Sequence, residues 1–82
     1  MAPSTKNINV YVLNRILKVL YEESPVKITN LAMSSGINYN TCKRYLHLMR
    51  IFGWIETSSE NKVIMVRITE AGRRIHNTLN DQ

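Results

Sequence analysis

The sequence has one cysteine, so no disulfide can form within the chain and no oxidising compartment is needed to fold it. There are only two prolines and three glycines, too few for a collagen-like or low-complexity chain. No apolar stretch approaches the ~20 residues of a transmembrane helix, and residues 1–8 lack the apolar core of a signal peptide. A cytoplasmic protein with no membrane partner is expected. Metal-ligand pairs at C-x-x-C or H-x-x-x-H spacing are missing, as are a glycine-rich phosphate loop and any Ser-His-Asp or paired-carboxylate pattern. The expectation is therefore no enzyme, no catalytic residue, no metal and no cofactor.

Negative charge is scarce too. Six Asp and Glu stand against 11 Lys and Arg, a net charge of +5. No acidic residue occurs between Glu23 and Glu56, whereas that span holds Lys27, Lys43, Arg44 and Arg50. A positive field concentrated in one segment points to a polyanionic partner. What remains is 44% hydrophobic over 82 residues, enough for one small folded domain and no more.

Residues 1–8 are polar and read as a flexible N-terminal arm, leaving 9–80 as the domain. From Asn9 the apolar residues Leu13, Ile16, Leu17 and Leu20 recur at i, i+3, i+4, i+7, one stripe of a first helix. Ser24-Pro25 stops it, because the residue before proline avoids helical angles. Val26-Lys27-Ile28 alternates as a short strand. Thr29 is placed to cap a second helix over Asn30–Ser35, which Gly36 ends. Asn38 caps a third helix running to about Phe52, with Cys42, Tyr45, Leu46 and Met49 on its buried stripe. Burial there makes Cys42 a core thiol and not a redox sensor.

Trp54–Thr57 and Lys62–Ile68 alternate as strands around the polar linker Ser58-Ser59-Glu60-Asn61, a hairpin whose core face is Ile64, Val66 and Ile68. Thr69 caps a fourth helix, Glu70–Leu79. The fold class is mainly α with a small β-hairpin: helix, short strand, helix, helix, two-stranded wing, helix.

Two helices joined by a short turn containing glycine form a helix-turn-helix. Ala32 allows a close helix crossing, Gly36 makes the turn, and Ile37 plugs the corner. The third helix presents Asn38, Tyr39, Asn40, Thr41, Lys43, Arg44 and His47 outward. Lysine and arginine neutralise phosphates or reach guanine, and asparagine pairs with adenine edges. Lys27 and the wing residue Lys62 would add phosphate contacts. For Arg50, near the helix end, favourable interaction with the helix dipole competes with such a role.

These motifs resemble the small archaeal-type winged helix-turn-helix transcriptional regulators, over roughly Val12 to Ile75. Residues 35–46 are similar to the turn and recognition helix of that group. Phe52-Gly53-Trp54-Ile55-Glu56 is similar to its exit into the wing, and Ile68-Thr69-Glu70-Ala71-Gly72 to its entry into the last helix. The resemblance implies sequence-specific binding of double-stranded DNA by a transcriptional regulator, with the third helix in the major groove. The wing tip departs from the pattern: it carries Glu60 and no cation before Lys62, which argues against deep minor-groove insertion. Two alternatives stay open, a winged-helix protein-interaction module and a weakly specific architectural DNA-binding protein. Val12 and Val19 lie off the first helix's stripe, and with Ile75 and Leu79 they suggest a homodimer interface.

Overall fold

A computed structural model describes residues 8–81. The N-terminal arm expected over residues 1–8 therefore lies outside the described residues except for Ile8. The elements are α1 (Val10–Glu23), β1 (Val26–Lys27), α2 (Ile28–Ser35), α3 (Tyr39–Ile51), β2 (Ile55–Glu60), β3 (Val63–Ile68) and α4 (Glu70–Asn80). This is the winged-helix order expected. One feature is added: β1 pairs with β3, so the sheet has three antiparallel strands in the order β1-β3-β2.

Local chemistry sets most boundaries. Asn9 caps α1, its side chain accepting from the Tyr11 N–H at 2.8 Å. Asn38 caps α3 through the Thr41 N–H at 2.8 Å, and Thr69 caps α4 through the Gly72 N–H at 3.1 Å. Each bond satisfies a donor that the first helical turn leaves unpaired. Gly36 closes α2 in the left-handed region, at φ 72°, which a residue with a side chain enters only at a cost.

The start of α2 corrects the sequence reading. The helix begins at Ile28 and not Asn30, with Lys27 in place of Thr29 at the cap position and no side-chain cap bond. Ile28 is buried, and Lys27 is held in β1 opposite Met65. Burying an isoleucine side chain is worth ~1.5–3 kcal/mol, more than the ~1 kcal/mol of a threonine cap. The hairpin is corrected as well. Ser58, Ser59 and Glu60 belong to β2, paired with Met65, Ile64 and Val63, and the turn is only Asn61-Lys62. Both turn residues have positive φ, 52° and 66°, as a two-residue turn of the twisted hairpin type requires. Trp54 precedes the strand.

The core gathers Ile16, Leu17 and Leu20 of α1, Leu31 and Ala32 of α2, the predicted α3 stripe, and Ile55, Val66 and Ile68 of the sheet. Arg15 ties α1 to the end of α2, donating to the Ser35 carbonyl at 2.9 Å. Ser24 accepts from the Ile68 N–H at 2.9 Å and ties the end of α1 to β3. The last helix lies along the first: Asn14 and Asn80 exchange side-chain hydrogen bonds at 3.1 and 2.9 Å, and the Tyr21 and His76 rings stack at 4.4 Å. Val12 and Val19, read from sequence as lacking cover, are half-buried against this chain's own core, as are Ile75 and Leu79. Intramolecular packing of α4 beside α1 accounts for part of the apolar surface ascribed to a second copy.

Candidate nucleic-acid interface

Burial of Cys42, Tyr45, Leu46 and Met49 fixes the rotation of α3. With that stripe inward, the helical period turns Tyr39, Asn40, Lys43, Arg44, His47 and Arg50 outward, and all six are exposed. Thr41 is half-buried. Asn38, Tyr39, Asn40, Thr41, Lys43 and Arg44 line one shallow, open concavity at the start of the helix. The Lys43 ammonium sits 5.6 Å from the centroid of the Tyr39 ring, within cation–π range.

A groove runs along each flank of α3. On the wing side it is walled by Ile28, Thr57 and Ile64 together with Lys43, Leu46, His47 and Arg50. On the other side Ile8 stands against Lys43, Arg44, His47 and Leu48. Lys43 and His47 border both grooves and form the crest between them. A further cleft brings Lys27, Thr29, Tyr39 and Lys62 together, joining the start of α2, the start of α3 and the wing tip. Lys27 and Lys62 are 35 positions apart in sequence, and pairing of β1 with β3 is what draws them to one face.

These cations are uncompensated. Among the described residues the ion pair is Arg74–Glu70 at 4.0 Å, exposed and on α4. None of Lys27, Lys43, Arg44, Arg50 and Lys62 is paired with a carboxylate among the described residues. Free ammonium and guanidinium groups on one surface create a positive potential that attracts an extended anion. The Cys42 thiol is fully enclosed, and burial pushes its pKa up to about 11, so it stays protonated and unreactive at neutral pH. Among the described residues no three His, Cys, Asp or Glu side chains gather as metal ligands. No described helix is long and apolar enough to cross a membrane.

All nine residues read from sequence as contacts thus lie on or beside α3 and its neighbouring cleft. Two more belong with them. Arg50, seven positions after Lys43, continues the same helical face, and that spacing was visible in sequence. Thr29 lines the cleft because α2 starts earlier than its residue preferences indicate.

No family model matches the chain, and no curated protein matches it in sequence. Its fold is similar to several solved structures. One is a MarR-family transcriptional regulator from Silicibacter pomeroyi, with 21% identity and a TM-score of 0.81, covering 84% of this chain and 48% of that one. Another is the PcaV transcriptional regulator from Streptomyces coelicolor in complex with its natural ligand, with 17% identity, a TM-score of 0.80 and coverage of 83% and 50%. A third is Sso10a-2, a DNA-binding protein from Sulfolobus solfataricus, with 24% identity, a TM-score of 0.73 and coverage of 84% and 74%. The chain spans about half the length of the first two. At these identities the likeness establishes the winged-helix fold.

Proposed function

We propose that this chain binds double-stranded DNA in a sequence-specific manner as a transcriptional regulator, with α3 in the major groove. The observation that carries the reading is the unpaired cationic crest of α3, flanked by Lys27 and Lys62 on the same face. Lys27, Lys43, Arg44 and Lys62 contact phosphates, with His47 beside them. Asn38 at the cap and Tyr39, Asn40 and Thr41 in the first turn reach base edges. Residues 9–80 form the DNA-binding domain, and the role is not enzymatic. Similar folds in proteins described as transcriptional regulators, and in one described as DNA-binding, support this assignment. The likeness to Sso10a-2 from Sulfolobus solfataricus supports an archaeal type.

The chain acts as a homodimer through α1 and α4. Val12, Val19, Ile75 and Leu79 leave part of their surface outward, and Val10, Tyr11 and Tyr21 of α1 are exposed. Two-fold symmetry then places the recognition helices about 34 Å apart, or a multiple of that, on a roughly palindromic site.

Titration of duplex DNA at several salt concentrations tests the reading. Replacing Lys43 and Arg44 together by Ala should lower the slope of log K against log[salt] by about 1.8, at ~0.9 for each phosphate left unneutralised. The doubly substituted chain should still fold, because both side chains are exposed. A protein-interaction reading rests on a different observation, the exposed Ile51 and Phe52 at the end of α3, where Phe52 stacks on Trp54 at 4.9 Å. Absence of salt-dependent duplex binding would decide for it.

A further inference from the structure

The chain holds two histidines, and the fold sends them to different faces. His47 is exposed in the middle of α3, one helical turn beyond Lys43 and Arg44 and one before Arg50. It borders the groove on each flank of the helix, so its imidazole stands on the crest between them. His76 lies on α4, half-buried, with its ring stacked on Tyr21 of α1. The Arg73 guanidinium sits 5.4 Å from the centroid of the same tyrosine ring. His76 lines neither groove of α3.

The surroundings of His47 supply no anion. The charged groups beside it are Lys43, Arg44 and Arg50, all on α3. From the other elements it is met by Ile28 of α2, Thr57 of β2 and Ile64 of β3 on the wing side, and by Ile8 on the opposite flank; none carries a charge. No carboxylate pairs with His47 among the described residues. Histidine is the side chain whose charge ordinarily changes between pH 5 and 8. Once protonated it has two ring N–H donors and a positive charge, and a phosphate oxygen gives that charge the partner the fold does not. A partner that binds the charged form more tightly draws the proton on, and the proton in turn tightens the binding.

Resting on the DNA-binding reading above, we infer that His47 takes up a proton when the chain binds duplex DNA, so that affinity rises as pH falls from 8 to 5.5. Lysine and arginine stay charged throughout that range. Lys43, Arg44 and Arg50 therefore give a docking strength that pH does not change, and His47 adds the adjustable contact on the same crest.

The test titrates random-sequence duplex DNA across salt at pH 8 and pH 5.5 with the unmodified chain, His47→Gln, His47→Arg and His76→Gln. For the unmodified chain the slope of log K against log[salt] should steepen by about 0.9 at the lower pH, and affinity at 0.1 M salt should rise by up to about eightfold. His47→Gln should bind at both pH values as the unmodified chain does at pH 8. His47→Arg should bind at both as the unmodified chain does at pH 5.5, a rescue that a merely structural role would not give. His76→Gln should keep the full pH dependence. Each variant should melt at the same temperature as the unmodified chain, because His47 is exposed and a check at both pH values separates binding from folding. Calorimetry at pH 7 in buffers of different ionisation enthalpy should register proton uptake on binding, lost in His47→Gln. If the unmodified chain binds with a salt slope but its pH dependence survives His47→Gln, or disappears in His76→Gln, the inference is overturned and the DNA-binding reading stands. If the unmodified chain shows no salt-dependent binding at either pH, both are overturned.

Discussion

Gly72 is the third residue of α4, a position where helix propensity favours alanine by about 1 kcal/mol. The structure reverses that preference. A Cβ at Gly72 would overlap the Trp54 carbonyl oxygen and stand 2.7 Å from Ile68 Cγ1. The nearer atom is backbone and cannot rotate away, so α4 must lift off the end of β3. That movement strains a connected set of bonds: Thr69 N–H to the Trp54 carbonyl at 3.0 Å, Thr69 hydroxyl to the Gly53 carbonyl at 2.6 Å, and Gly72 N–H to the Thr69 hydroxyl at 3.1 Å. Overpacking costs about 1–3 kcal/mol and a missing cap about 1 kcal/mol. One broken backbone hydrogen bond adds about 1 kcal/mol. After the propensity gain, Gly72→Ala should destabilise by roughly 2–4 kcal/mol, a large share of what a domain this small possesses. At about 4–8 °C per kcal/mol, the melting temperature should fall by roughly 10 °C or more. Urea unfolding followed by Trp54 fluorescence measures the change directly. Gly53→Ala is the comparison: its added Cβ meets nothing within 4 Å, and only its φ of +79° opposes the change, at about 1–2 kcal/mol. A Gly72→Ala protein as stable as the unmodified chain, or less affected than Gly53→Ala, would refute the close-approach argument.

Three further outcomes are expected. Asn40→Ala should relax sequence preference by about 1–3 kcal/mol at one base pair while changing affinity for random duplex little, and selection from a random library returning the unmodified motif at full strength would refute the assignment. The Cys42 thiol should make stability pH-dependent only in alkali. The folded chain holds this proton to about 11 and the unfolded chain to about 9, so the unfolded chain releases it first as pH rises. Stability relative to Cys42→Ala should be level below about 9 and decline by about 2–3 kcal/mol through 11, and a decline already present near neutral pH would contradict the burial argument. The unmodified chain should sediment as a dimer at micromolar concentration, and Tyr11→Glu, on an exposed position of α1, should weaken the dimer without lowering the melting temperature; a single monomeric species would exclude the terminal-helix interface.

Much of this protein was legible residue by residue, because short-range interactions determine it. Asn38 and Thr69 cap their helices through bonds to residues three positions on. Apolar residues at i, i+3, i+4, i+7 set which face of α1 and α3 turns inward. Once Cys42, Tyr45, Leu46 and Met49 are buried, the outward display of Tyr39, Asn40, Lys43, Arg44 and His47 follows from helical geometry. The acid-free span from Ser24 to Ile55 marked the positive face for the same local reason. What tertiary structure decided was long-range. Ile28 begins α2 because the core takes its side chain, against the local preference for a cap at Thr29. Lys27 and Lys62 share a cleft only because β1 pairs with β3. Val12 and Val19 are half-covered because α4 lies along α1. Gly72 is required because a helix end meets the backbone of Trp54, 18 positions earlier in the chain. Caps and periodicities are written in neighbouring residues, but pairings and close approaches depend on which distant segments the core brings together.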